Sequence, residues 1–409
     1  MKSEQQRGAE TGPVRDLSYE LLGIQLENPF ILAAGPSTDD IDMVRRAFRM
    51  GWAGAVLKTT SVEGTPVDLA YPMMSSFNHD GKLLFGMGNI DLISAHHIDR
   101  VESTVRTLKN EFPTKMIAAS IMAGKKEDWQ SLVARLENAG ADLIECSFSC
   151  PQGNIGEDPG RMLAQSVTAT ELTARWVKEA ARRIPVSIKI TPQVTDIVDV
   201  ARAVQRSGAD ALTASNSVQA LMGIDVYSFV PDPPLGGRST YSGLTGPAIR
   251  PLTLRTIAEI ARHVTIPVLG TGGASSWRDA VEFMSVGARC VQFCTLVMHH
   301  GFRVIDDLRS GLSNYMDDMG FSSPLDIVGK ALPHLAVHDE LPRRRVRSMI
   351  DESRCIGCEV CYVACRDGGH GAIDRRESRI PVVNTERCVG CGLCPLVCPE
   401  ACIALVALD

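Results

Sequence analysis

The first limits on this 409-residue chain come from what it lacks. No apolar run approaches the ~20 residues that a membrane-crossing helix needs. The opening Met-Lys-Ser-Glu-Gln-Gln-Arg-Gly has no apolar segment of the kind that marks a secretory signal. The expectation is therefore a soluble, cytoplasmic protein in a compartment that keeps thiols reduced. Positive charge is not in excess either: the net charge is −6, which argues against a nucleic-acid surface. Only Arg343-Arg344-Arg345-Val346-Arg347 is locally basic, and its place after Pro333 and Pro342 reads as a solvated linker, with a docking segment as the sharper alternative. A dinucleotide-binding glycine motif is missing as well, so the chain offers no evident seat for a nicotinamide cofactor.

Cysteine, by contrast, is abundant and concentrated at one end. Residues 355–365 read Cys355-Ile-Gly-Cys358-Glu-Val-Cys361-Tyr-Val-Ala-Cys365, and residues 388–398 repeat the spacing as Cys388-Val-Gly-Cys391-Gly-Leu-Cys394-Pro-Leu-Val-Cys398. Two C-x2-C-x2-C-x3-C runs form the bacterial ferredoxin pattern, in which the fourth cysteine of each run ligates the other cubane. Cys355, Cys358, Cys361 and Cys398 are thus assigned to one [4Fe-4S] cluster, and Cys388, Cys391, Cys394 and Cys365 to the second. Paired zinc sites usually space two Cys-x-x-Cys units across a longer loop, and a disulfide framework does not suit reducing cytosol. Pro399 follows Cys398, whereas Arg366 follows Cys365, a departure from the pattern in the first half. Cys402 is left over and reads as ordinary core packing.

Cubanes move single electrons, so substrate chemistry belongs to the other 340 or so residues. With 44% apolar residues and 35 glycines, the chain suffices for a large domain and a small one. Residues 1–15 read as a loose tail, 16–335 as the large domain, 336–347 as a linker and 348–409 as the ferredoxin-like module. Within the large domain, apolar runs alternate with stretches of helical period. Strands are expected at Phe30–Ala34, Ala53–Lys58, Met116–Ile121, Leu143–Ser147, Val186–Ile190, Ala211–Ala214, Val268–Gly270 and Cys290–Phe293. Helices are expected at Asp40–Met50, Glu127–Ala139, Thr168–Arg183, Asp196–Gly208, Ile249–His263 and Trp277–Val286. Eight strands with interleaved helices point to an α/β fold, a (β/α)8 TIM barrel, with an open doubly wound sheet as the alternative.

Barrel chemistry sits where strands end. Strand 2 ends near Lys58, strand 4 at Ser147-Phe148-Ser149-Cys150, strand 5 carries Lys189, and strand 6 leads into Ser215-Asn216-Ser217. Gly272 and Gly273 after strand 7, with Cys294 and Thr295 after strand 8, fit a phosphate cradle of backbone N–H groups. A flavin couples one-electron clusters to two-electron organic reduction, and FMN with its single phosphate suits such a cradle. Lys58 and Lys189 would then face the flavin, since an ammonium within an apolar strand needs an anionic or polar partner. Cys150 opens a Pro/Gly-rich segment that reads as a lid carrying a proton-transferring thiol, while Cys146 and Cys290 read as inert core thiols.

On these residues the chain resembles the dihydropyrimidine dehydrogenases that carry FMN and two [4Fe-4S] clusters. The likeness runs through Asn28-Pro29-Phe30, Trp52-Ala-Gly-Ala-Val-Leu-Lys58-Thr59, Ser149-Cys150-Pro151, Lys189-Ile-Thr191-Pro192, Leu221-Met222-Gly223, Tyr241-Ser-Gly-Leu-Thr-Gly246, Thr271-Gly272-Gly273 and the cysteine module. The related dihydroorotate dehydrogenases share the barrel and the lysines but lack the appended module. The resemblance implies an oxidoreductase acting on a CH–CH group. Electrons from NADH or NADPH would enter through a separate FAD-bearing partner subunit and cross both clusters to FMN. Hydride would pass to C6 of uracil or thymine while Cys150 protonates C5. It further implies FMN contacts from Ala34, Lys58, Thr59, Lys189, Asn216, Gly243, Gly272, Gly273, Cys294 and Thr295. Pyrimidine contacts would come from Asn89, Ser147, Asn216 and Ser217. Two features depart from the family: Ser147 stands where Asn is usual, and the lid after Gly153 is unlike the family's. The Ser147 departure keeps open the same machinery acting on another cyclic amide or unsaturated ring, and a reading of a different class is an electron-relay subunit without its own substrate.

Overall fold

The computed structural model describes residues 15–62, 70–79, 82–149 and 162–408. It divides into two compact units, one ending at His334 and one beginning at Leu335.

Eight parallel strands close the barrel of the first unit: β1 (Phe30–Leu32), β2 (Gly54–Thr60), β3 (Met116–Ile121), β4 (Leu143–Ser147), β5 (Val186–Lys189), β6 (Ala211–Ala214), β7 (Val268–Thr271) and β8 (Ala288–Phe293). They neighbour one another in chain order, and β8 returns to β1. The open-sheet alternative is therefore excluded. Outside them lie α1 (Ile41–Met50), α2 (Ile98–Glu111), α3 (Lys126–Ala139), α4 (Val167–Ala180), α5 (Ile197–Arg206), α6 (Arg250–Ala261), α7 (Trp277–Ser285), α8 (Thr295–His300) and α9 (Ile305–Met319). Helix α1 shows why these segments fold locally. Asp40 caps its start by accepting the Asp42 N–H, Gly51 ends it in the left-handed region, and Val44, Ala47 and Phe48 form the buried stripe.

Along the strands, the interior changes character over two residues. Near the strand starts it is apolar, with Ile31, Val56, Ala118, Leu143, Ala211, Leu269 and Cys290 in one buried cluster. A hairpin (Tyr19–Leu21 with Ile24–Leu26) packs into that cluster, and the Tyr19 hydroxyl donates to the Arg289 carbonyl at 2.6 Å. Two residues further along the same strands come Lys58, Ser120, Glu145, Thr213, Thr271 and Gln292. Strand side chains alternate with period two, so these point inward as well and build a polar layer above the apolar floor. The larger apolar cluster lies between strands and helices.

Three expectations change. Helices α2, α8 and α9 were not anticipated. Nor was a four-stranded antiparallel sheet in the order Val218–Ala220, Ser242–Thr245, Lys82–Asn89, Met74–His79, built from the excursions after β2 and β6. Of the expected tail 1–15, only Arg15 is described, and it is tied down: its N–H donates to Ser313 Oγ at 2.8 Å and its guanidinium pairs with Asp317 at 3.0 Å.

In the second unit, Val346–Ile350 pairs antiparallel with Ile403–Ala407. The expected linker 336–347 thus already contains the first residues of a strand, because Val346 and Arg347 find ladder partners in Ala407 and Val406. Short helices Val360–Gly368 and Leu393–Val397 carry the later cysteines of the two runs, Cys361 and Cys365 on the first and Cys394 on the second.

Candidate active site

A cavity of about 450 Å³ opens at the C-terminal ends of the barrel strands. Every FMN and pyrimidine residue expected from the sequence lines it, except Cys150, which lies outside the described residues. From β1 come Ala34 and Gly35, and from β2 Lys58 and Thr59. Strand β4 supplies Ser147 and Ser149, β5 Lys189, and the segment after β6 Asn216 and Ser217. The added sheet delivers Asn89 and Gly243, which are register partners, so the unanticipated sheet forms one wall. Gly272, Gly273, Cys294 and Thr295 complete the lining after β7 and β8.

The two lysines are paired as their burial demands. Lys58 Nζ lies 2.8 Å from Asp91 Oδ2 and 3.6 Å from Asp39 Oδ2, with both Lys58 and Asp91 nearly inaccessible. Lys189 Nζ lies 3.5 Å from Oε1 of Glu145, which is wholly buried. The Oε2 atom of Glu145 accepts from Thr213 Oγ1 at 2.9 Å and Gln292 Nε2 at 2.8 Å. Asn216 ties the β4 and β6 ends together: its Nδ2 donates to Ser149 Oγ at 2.8 Å and its Oδ1 accepts the Ser217 N–H at 2.9 Å. Asn89 Oδ1 accepts the Asp91 N–H at 2.6 Å, which orients the loop that brings Asp91 to Lys58. Burial pushes the Cys294 thiol above its ordinary value, opposed by the positive charge of Lys189. Burial likewise raises Cys146 and Cys290, in keeping with inert core thiols.

The glycine pair after β7 is required by its own geometry. Gly272 and Gly273 have φ of 120° and 91°, and a Cβ on Gly273 would stand 2.7 Å from the Arg250 nitrogen and the Gly246 oxygen. Positive φ at both positions requires glycine, and without side chains the turn lets its backbone N–H groups come close to a bound anion. Among the described residues, three buried polar atoms of the cavity lining, Ser215 Oγ, Ser242 Oγ and Gln292 Oε1, have no hydrogen-bond partner. A polar, phosphate-bearing planar cofactor fits this donor set.

Sequence reasoning missed Asp91, Glu145 and Gln292. For Glu145 and Gln292 the signal was present, a charged or amide side chain within Leu-Ile-Glu-Cys-Ser or Cys-Val-Gln-Phe, since such a group within an apolar strand demands partners. Asp91 sits in a loop and gave no such signal.

In the second unit the cysteines gather in two sets. Cys355, Cys358, Cys361 and Cys398 surround one cavity, and Cys365, Cys388, Cys391 and Cys394 another. Each set draws three residues from one run and the fourth from the other. Among the described residues no three thiols, imidazoles or carboxylates converge tightly enough to hold a single ion, whereas a zinc site gathers its thiolates at ~2.3 Å from one centre. Thiols spread round a cavity suit a cubane. The Ala372 N–H points at Cys365 Sγ (3.3 Å) and the Ser348 hydroxyl lies 3.0 Å from Cys394 Sγ. Cys402 is packed in the small core, but it also lines the first cavity, with its sulfur 3.5 Å from that of Cys398.

Residues 16–316 match the dihydroorotate dehydrogenase family model, and residues 348–405 match the 4Fe-4S dicluster domain. Over 402 residues the chain is 37% identical to the NAD-dependent dihydropyrimidine dehydrogenase subunit PreA of Escherichia coli K12, an alignment spanning 96% of this chain and 95% of that protein. The chloroplastic dihydropyrimidine dehydrogenase (NADP(+)) of Arabidopsis thaliana is 32% identical over 349 residues, 82% of this chain and 81% of the plant protein. The catalytic subunit of dihydroorotate dehydrogenase B (NAD(+)) from Pyrococcus horikoshii is 33% identical over 332 residues, 78% of this chain and 98% of that subunit. With a closed barrel, a polar cavity at its C-terminal mouth and these matches, the chain belongs to the dihydroorotate dehydrogenase family and is an oxidoreductase that carries a 4Fe-4S dicluster domain on the same polypeptide.

Proposed function

We propose that this chain is the FMN- and iron–sulfur-bearing catalytic subunit of a dihydropyrimidine dehydrogenase, reducing the C5=C6 bond of uracil or thymine reversibly. Electrons would come from NADH or NADPH through a separate FAD-bearing subunit. The observation that carries the reading is one cavity lined by both paired lysines, the Gly272-Gly273 backbone and the amide-bearing Asn89 and Asn216, in a chain that also gathers eight cysteines into two sets of four. Similarity to PreA over nearly the whole chain supports it.

Bound FMN would exchange hydride for single electrons supplied by the two clusters. The protein's share is binding, orientation and proton supply. Gly272, Gly273, Cys294 and Thr295 hold the phosphate, with Ala34, Thr59 and Gly243 closing round the rest. Lys58 and Lys189 place positive charge against the ring system. Asn89, Ser147, Asn216 and Ser217 offer donors and acceptors to the amide edges of the pyrimidine, which fixes C6 towards the hydride source. Cys150 gives its proton to C5. Asn216 holds Ser149, the residue before Cys150, so the root of the thiol-bearing segment is anchored to the substrate wall.

One observation favours a second reading. Ser147 lines the cavity where the resembling sequences carry Asn, and a short hydroxyl replaces an amide that both donates and accepts. The same machinery acting on another cyclic amide accommodates that change.

The test is direct. Purified protein with full iron should contain one FMN per chain, and after anaerobic reduction its flavin absorbance should return on adding uracil or thymine. Cys150→Ala should keep FMN and lose that reoxidation. Absence of FMN would sink the proposal. Reoxidation by other cyclic amides but not by uracil or thymine would transfer it to the second reading.

A further inference from the structure

We propose that Glu145 is the counter-charge of the flavin site, a positioning residue that pairs with Lys189 from beneath and makes the cavity floor an ion pair instead of a bare cation. The inference rests on the FMN reading above. Glu145 is completely buried, and its inward position on β4 falls two residues before Ser147, at the level where the barrel interior turns polar. A carboxylate there needs compensation. Thr213 and Gln292 both donate to Oε2, and Oε1, which has no hydrogen-bond partner among the described residues, faces Lys189 Nζ at 3.5 Å. Ser187 Oγ, 2.8 Å from Thr213 Oγ1, extends the network to a fourth strand, β5. The result is a carboxylate held rigidly by one oxygen while the other is aimed at the only ammonium that β5 brings to the cavity.

The alternative is that Glu145 merely fastens strands β4, β6 and β8 together. The two roles differ in charge, because glutamine keeps the shape and much of the hydrogen bonding. Sulfite reports charge at a flavin: its sulfur lone pair forms a bond to ring N5, nothing leaves, and the negative charge comes to rest on the ring. A net positive floor tightens that adduct and a net negative floor loosens it.

The experiment is a sulfite titration of the assembled, oxidised holoprotein, followed by bleaching of the flavin band. It compares wild type with Glu145→Gln, Lys189→Met and the double variant. Glu145→Gln should bind sulfite on the order of tenfold more tightly, Lys189→Met more weakly by a similar factor, and the double variant should return close to wild type. Wild-type affinity or weaker in Glu145→Gln, with flavin fully retained, would overturn the proposal. So would a double variant that matches Lys189→Met. If Glu145→Gln does not retain flavin, the comparison of Lys189→Met with the double variant decides alone, since removing both charges together must restore binding. Wild-type protein without flavin would refute the FMN reading; bound flavin with a flat series refutes only the role of Glu145.

Discussion

Phe148 anchors the segment on which the site depends, and truncating it should damage stability and chemistry together. Its side chain is wholly buried and packs edge-on against Trp129 of α3, with ring centroids 5.5 Å apart at 74°. Its backbone is held on both sides: its N–H donates to the Lys189 carbonyl at 3.0 Å, and its carbonyl accepts the Ala164 N–H at 3.0 Å. Since strand residues alternate, burying Phe148 outward against α3 presents Ser147 and Ser149 to the cavity. Phe148→Ala loses a phenyl ring from a close-packed layer that cannot fully collapse, which costs about 3–5 kcal/mol, including about 1 kcal/mol for the aromatic pair. Phe148→Leu fills most of the space and should cost about 1–2 kcal/mol. Equilibrium urea unfolding followed by tryptophan fluorescence measures both, with Trp129 one of four tryptophans that report. Turnover should fall up to about a hundredfold in Phe148→Ala, because a displacement near 1 Å of a positioning group has that effect. A loss of less than about 1 kcal/mol in Phe148→Ala would refute the claim that this ring fixes the end of β4.

Other outcomes follow from the same geometry. Asp91→Ala leaves the Lys58 ammonium, among the described carboxylates, with Asp39 alone at 3.6 Å, and should destabilise the barrel by about 2–4 kcal/mol in the same assay; Asp91→Asn should cost less. Asn216→Ala frees Ser149 and removes an amide expected to serve both ring systems, so KM for the pyrimidine should rise and FMN should be held more weakly. Cys398→Ala should drop iron from about eight to about four atoms per chain and leave the second cluster's spectrum intact, because Cys398 sits with Cys355, Cys358 and Cys361. Cys294, its thiol held above the ordinary value of 9.0 by burial, stays protonated at neutral pH. In flavin-free protein it should resist iodoacetamide at pH 7–8, with labelling rising only above pH 9, as mapped by peptide mass spectrometry.

How much of this was legible in sequence depended on whether the physical signal was local. The barrel strands were readable to within a residue or two because each is a mainly apolar run of three to seven residues closed by a turn or a cap, and Met116–Ile121 and Leu143–Ser147 coincide with the expected bounds. The cysteine sets were readable because ligand spacing is itself the signal. Helix α2 was lost because His97 is an unusual cap and its apolar residues Ile98, Val101, Val105 and Leu108 are diluted by charge. The added sheet was lost because pairing Lys82–Asn89 with Ser242–Thr245 brings together residues more than 150 positions apart, and neither segment alternates cleanly.

The position of the site follows from the same alternation that closes the barrel. On β2, β3, β4, β6, β7 and β8 the inward residue changes from apolar (Val56, Ala118, Leu143, Ala211, Leu269, Cys290) to polar (Lys58, Ser120, Glu145, Thr213, Thr271, Gln292) two residues later. A packed interior tolerates that many polar groups only when they satisfy one another or a ligand. Most do: Thr59 with Ser120, Ser187 with Thr213, Thr213 and Gln292 with Glu145. Among the described residues the exceptions in this layer are Glu145 Oε1, which faces Lys189, and Gln292 Oε1, which lines the cavity together with the equally unpartnered Ser215 Oγ and Ser242 Oγ. A leucine at position 292 would satisfy the packing and strand one hydrogen bond of Glu145, so Gln292→Leu should leave the fold standing and lower FMN affinity by roughly three- to tenfold in a fluorescence-release titration, about 0.5–1.5 kcal/mol for one hydrogen bond. Unchanged affinity in that variant would mean that the unpaired oxygen does not serve the cofactor and that the polar layer is there for the barrel alone.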